Sequence, residues 1–128
     1  MIKYIFLVTI LMTILIACSK DKDSAQVSAS YGEKLFQQKH IGKNKSIGCI
    51  MCHSLSNEKT VGPSLKYISK RAALIHPNMS AREYIYQSIT EPDAYIVAGY
   101  IPGLMYSFYK QELTELEINS LVEFLLLQ

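Results

Sequence analysis

The chain has 128 residues, a formal net charge of +2 and 19% charged residues, with 3 Cys, 9 Tyr and no Trp. That length holds one small domain and leaves no room for a second of ordinary size. So modest a positive charge is not the footprint of a nucleic-acid binder, and nucleic acid is not expected as a partner.

Residues 1–17 do not belong to the fold. Lys3 supplies a short positive start, and Ile5 to Ile16 form an apolar run broken only by Thr9 and Thr13. The run falls short of the roughly 20 residues that cross a bilayer and suits the core of a signal peptide. Leu15-Ile16-Ala17-Cys18 resembles a bacterial lipobox, in which cleavage precedes the cysteine and its thiol takes lipid. Cys18 is read as a lipid anchor, the alternative being an uncleaved signal anchor with a free Cys18. Either places the domain on the extracytoplasmic, periplasmic side of a bacterial cell envelope, at a membrane. Ser19 after the anchor leaves inner and outer membrane both open. Ser19 to Ser30 is polar and free of aromatics, hence a tether. Residues 18–30 are therefore expected to be the lipid-bearing cysteine and linker, and 31–128 the domain.

Ser30 with Glu33 three residues on spells a capping box. In the helix that follows, Gly32, Leu35 and Phe36 share a face, and Gly32 lets another helix come close. From Lys34 to Arg82 there are nine Lys or Arg against Glu58 alone, whereas Glu83 to Gln128 sets Lys110 against seven carboxylates. The asymmetry reads either as an ordinary solvated surface or as a basic rim that steers docking to an acidic partner.

Cys49-Ile50-Met51-Cys52-His53 lies inside that basic half. C-x-x-C-H is the spacing that fixes a c-type haem. Two thiols three positions apart add to the two vinyl groups of one porphyrin, and the next imidazole is held beneath the iron, which makes His53 the proximal ligand. A thioredoxin-like dithiol would follow a strand of a βαβ unit, and what precedes the motif is the polar, glycine-containing loop 43–48. A structural zinc site needs four ligands, and only His40 or His76 remains to complete one. With lipid on one cysteine and haem on two, no disulfide is expected, although small exported domains commonly have them.

Pro63 starts a short helix over Ser64–Arg71. Ser80 with Glu83 opens another over Ala81–Thr90, which stops because Pro92 pushes Glu91 out of the helical region. Gly99-Tyr100-Ile101-Pro102-Gly103-Leu104-Met105 is a turn-rich loop that can drape over the open haem face and present the Met105 thioether. Met105 is the favoured second axial ligand, with His76 and Met79 as alternatives. Met51 lies within the attachment loop, and His40 sits close to the motif on its proximal side. His/Met coordination raises the reduction potential and fills both axial positions, which suits carrying electrons and not binding substrate. Thr114 with Glu117 opens the last helix, where Ile118, Leu121, Val122 and Leu125 form an apolar stripe with Phe124 beside it. The first helix is expected to pack on the last. No stretch alternates like a strand for long, so the fold class is all-α.

With those residues in view, Tyr31 to Gln128 resembles the class I c-type cytochromes, monohaem and His/Met-ligated, here in lipoprotein form. The resemblance rests on the Gly32/Phe36 helix, Cys49-x-x-Cys52-His53, Val61-Gly62-Pro63, the Met105 loop and the final amphipathic helix. It implies a small class I cytochrome c fold, its N- and C-terminal helices packed across each other around one covalent haem c, with an exposed haem edge. It also implies that the Pro63 carbonyl accepts the His53 N–H, orienting the ring and raising its basicity. Two features depart from the family. Met105 is followed by Tyr106 where Pro is common, leaving Pro102 to stiffen the loop, and the lack of Trp leaves Tyr95, Tyr100 or Tyr106 near the haem propionates. The expected function is a membrane-tethered one-electron carrier between respiratory redox proteins, with no small-molecule substrate. The alternatives are a haem subunit of a larger oxidase or reductase complex and, from another class, an open-site haem enzyme or gas sensor.

A domain this short buries a limited core, and a large apolar cofactor at its centre supplies much of the missing burial. Apoprotein lacking both thioethers is therefore expected to be poorly folded. A cooperative melt equal to the holoprotein's, followed by circular dichroism, would refute this.

Overall fold

A computed structural model describes residues 26–128. The signal segment, Cys18 and the start of the tether lie outside the described residues. Helix α1 (Ala29–Phe36) is capped by Ser28, whose hydroxyl accepts from the Tyr31 N–H at 3.2 Å, and not by Ser30. Ala29 and Ser30, expected in the tether, form its first turn. The cause is tertiary: the Ser28 N–H donates to Ser120 Oγ at 3.2 Å, so the last helix catches the chain two residues before the Ser30/Glu33 pair.

A two-residue antiparallel pairing of β1 (His40–Ile41) with β2 (Ser46–Ile47) closes a turn and leads through Gly48 into a single 3-10 turn at Cys49–Met51. Helix α2 (Ile68–Ile75) begins four residues later than the Ser64 expected after Pro63. Residues 64–67 are held in turns instead. The Leu65 N–H donates to the Ser54 carbonyl at 2.8 Å, the Lys66 N–H to Ser64 Oγ at 3.1 Å, and Tyr67 takes a left-handed φ of +56°. Arg71 then reaches back, Nε to the Lys66 carbonyl at 3.1 Å and Nη2 to the Ser64 carbonyl, occupying acceptors that a helix begun at Pro63 would need for itself.

Helices α3 (Ala81–Thr90) and α5 (Glu115–Leu126) have the expected starts, with both bonds of each capping box formed. Glu91, at φ −142° and ψ +64°, leaves the helical region ahead of Pro92 as expected. Before α5 comes α4 (Tyr109–Glu112), a single turn without a forecast in the sequence pattern.

The core sits where α1 crosses α5, with α3 packed on α5 and α2 on α3. Phe36, Ile118, Leu121 and Val122 are fully buried there, and the Phe36 and Phe124 rings meet at 5.5 Å. Each such side chain contributes about 1.5–3 kcal/mol by leaving water. The all-α class holds, the small hairpin being the single strand pairing among the described residues.

At the crossing the two backbones touch. A Cβ on Gly32 would stand 1.8 Å from the Ser120 carbonyl oxygen and 2.9 Å from the Leu121 nitrogen, so neither helix can yield without leaving the other. Gly32→Ala is expected to cost about 3 kcal/mol through overpacking. For a domain of this size the holoprotein Tm should fall by more than about 10 °C. A Tm within about 2 °C of native would mean that the crossing accommodates a methyl group.

Candidate functional site

Helices α1, α2, α3 and α5 and the loops between them enclose a cavity of about 510 Å³, within the size range of sites for organic ligands. Phe36, Leu65, Ile68, Ile85, Leu121 and Leu125 make its walls largely apolar. Cys49, Cys52, His53 and Pro63 line it from the attachment loop, and Met105 lines it from the loop before α4. The other candidates lie elsewhere. Met51 is exposed, Met79 borders an outer groove with Arg82, Tyr86 and Asn119, and exposed His40 holds the Lys45 carbonyl at 3.2 Å through Nδ1. His76 ends α2 with its ring edge-on to Tyr95 at 5.6 Å. Of the three candidates for a second axial ligand, Met105 alone lines the cavity.

His53 Nδ1 lies 2.8 Å from the Pro63 carbonyl oxygen. A carbonyl only accepts, so Nδ1 carries the proton and Nε2 keeps its lone pair. Burial pushes the His53 pKa below its ordinary value, while the Pro63 bond acts in the opposite direction and is outweighed. The ring is thereby neutral near neutral pH, the form in which imidazole binds a metal. A strap of loop holds this arrangement. The Gly62 N–H donates to the Cys52 carbonyl at 2.7 Å, and the Thr60 hydroxyl donates to the same carbonyl.

Gly62 is a functional residue that spacing does not explain. A Cβ there would sit 2.5 Å from His53 Cε1 and 2.8 Å from Nδ1, so the ring lies where a side chain would be. The Met105 loop has its own brace in Asp93, whose Oδ1 accepts from the Gly103 N–H at 2.8 Å. Pro102, to which the sequence assigns the stiffening, is exposed. Nothing local marks Asp93, because its partner is ten residues away in an irregular loop.

Burial pushes the Cys49 thiol up to about 11. A free dithiol here would hold little thiolate near neutral pH, contrary to what a redox pair needs. No three His, Cys, Asp or Glu side chains converge as a metal cluster among the described residues, so neither His40 nor His76 completes a zinc site. What does converge is two thiols, an unprotonated imidazole nitrogen and a thioether around an apolar cavity. That donor set fits an iron porphyrin. Arg71, Tyr95, Tyr100 and Tyr106 also line the cavity and offer polar partners for a porphyrin's carboxylates.

A family model described as Cytochrome c matches residues 29–127. No curated protein matches the chain.

Gly62→Ala is expected to turn the His53 ring off the Pro63 carbonyl. The Nδ1 proton of the holoprotein, protected in the native chain, should then exchange with solvent about tenfold faster, as loss of one such bond allows. Equal exchange rates, read by NMR, would show that Gly62 is not what keeps the ring in place.

Proposed function

This chain belongs to the cytochrome c family, and on that premise we propose that it is a membrane-tethered monohaem carrier passing single electrons between respiratory redox partners. The family binds haem c covalently, and the bound haem supplies one-electron Fe(III)/Fe(II) chemistry. The observation that carries the reading is the convergence of Cys49, Cys52, His53 and Met105 on one apolar cavity.

In this reading Cys49 and Cys52 would hold the porphyrin as thioethers, and His53 and Met105 would bind its iron. Pro63 receives the His53 N–H and Gly62 backs the ring, so the imidazole holds one orientation and gains basicity. Asp93 steadies the loop that presents Met105. Both side chains are on braced segments, so the chain itself would rearrange little when the haem gains or loses one electron. With His53 and Met105 both given to the iron, none of its positions would be left for a substrate.

Docking would use the basic half. Lys39, Lys43, Lys45 and Lys59 are exposed on the segments flanking the motif. Among the described residues the two ion pairs are Arg82–Glu123 and Lys110–Glu91, and neither involves those lysines. They are available to an acidic partner in a weak, salt-sensitive encounter, which suits a carrier that must also leave. Among the described residues no helix is long and apolar enough to cross a membrane. The tether in this proposal is lipid on Cys18, on the extracytoplasmic side of the cell envelope.

The optical spectrum of oxidised holoprotein tests the ligand set. Native protein is expected to show an iron–thioether charge-transfer band, and Met105→Ala to lose it and to bind carbon monoxide rapidly once reduced. Persistence of the band in the variant would assign the thioether elsewhere. Rapid carbon monoxide binding by the native protein would favour an open-site haem protein instead.

A further inference from the structure

We propose that α4 is a clasp that keeps Met105 in place, with Glu112 as the positioning residue joining the Met105 loop to the hairpin ahead of Cys49. The inference rests on Met105 being an axial ligand.

Glu112 is only 7% exposed and has no cation in an ion pair with it among the described residues. Its carboxylate meets neutral donors: the Asn44 N–H reaches Oε2 at 2.9 Å, and Asn44 Nδ2 donates to Oε1 at 2.6 Å. Its own carbonyl accepts from the Lys43 N–H at 3.2 Å. Gly42, at φ +77°, lies so close that a Cβ would come 2.9 Å from that of Glu112. The turn at 42–45 is moulded around this one residue. A position this covered is better served by an apolar side chain if packing alone is at stake. A carboxylate is suited to it because two acceptor oxygens can take a backbone and a side-chain donor of Asn44 together.

The same turn of helix touches both sides of the site. The Tyr109 hydroxyl donates to the Ile47 carbonyl at 2.7 Å, two residues before Cys49. The Tyr109 ring meets Tyr106 edge-on at 5.1 Å, and Tyr106 directly follows Met105. The Asn44 donors foremost, and the Lys43 charge and the Tyr106 hydroxyl after them, hold the Glu112 carboxyl below its ordinary pKa, outweighing burial. Met105 therefore sits between two fixed points, the Asp93–Gly103 bond before it and the Tyr106–Tyr109–Glu112 turn after it.

Cutting the clasp leaves the covalent anchors intact and frees the Met105 segment to move away from the cavity. The fraction of molecules with the thioether off the iron then rises. An outside ligand competing for that position binds more tightly in proportion to that fraction. Imidazole titration of oxidised holoprotein, followed optically, reads this directly.

Glu112→Ala, which removes both Asn44 bonds, should tighten the apparent imidazole affinity about tenfold; Asn44→Ala, which removes the Nδ2 bond and keeps the backbone N–H on Oε2, should tighten it by less, and the double variant no further than Glu112→Ala alone. Tyr109→Phe, which removes one hydroxyl, should shift the affinity less and in the same direction. Where Glu112→Ala does not accumulate as holoprotein, Glu112→Gln decides the same question by setting an amide donor against an Asn44 donor. Native-like imidazole affinity in the Glu112 variants, with only the Tm lowered, would overturn the clasp. Met105→Ala separates the two readings. Tight imidazole binding there with unchanged Glu112 variants removes the clasp alone, whereas native-like weak binding there removes the ligand assignment and the clasp together.

Discussion

The distance between Gly32 and the Ser120 carbonyl governs the rest of this molecule, because the first and last helices frame the cavity from that crossing. Phe36 comes to its wall from α1, and Leu121 and Leu125 come from α5. A domain of this size has few residues to bury, and here the centre is given over to a cavity. The remaining contacts must be close, and the closest is backbone on backbone, with no side chain between. Ser28 extends the same contact by donating to Ser120 Oγ, and the Phe36–Phe124 pair continues it on the other side.

Within that frame the chemistry is carried by loops. His53 is in a strap whose backbone groups are satisfied locally, by Gly62 on the Cys52 carbonyl and Leu65 on the Ser54 carbonyl. Met105 is in a loop held by Asp93 before it and by the aromatic contacts of Tyr106 after it. Irregular segments held in this way can be as rigid as helices. They also approach the cavity from directions that a helix axis would not allow. In the proposed reading, that rigidity suits a haem-based electron carrier, where the protein's task is to change little.

Three hydroxyl–carboxylate pairs share one spelling in the sequence, and two of them cap helices. Ser80 with Glu83 and Thr114 with Glu117 succeed because every atom involved lies within four residues. Ser30 with Glu33 does not, because Ser28 is caught by a residue 92 positions away and the helix has begun before Ser30 can cap it. Pro63 fails as a helix start for a related reason. The Arg71 side chain takes the Ser64 and Lys66 carbonyls, so that stretch is held as turns. In both cases a local preference yields to a contact with a side chain further along the chain.

The sequence by itself determined the helical class, the terminal-helix pairing and the attachment chemistry. Helical period, capping bonds and the spacing of two thiols and an imidazole are all short-range properties, complete within a few residues. Tertiary structure alone decided which of Met105, His76 and Met79 lines the cavity, why position 62 has no side chain beside His53, and that Glu112 meets Asn44. Each of these depends on which distant segments share one small volume. The packing of the whole chain settles that, and no local pattern encodes it.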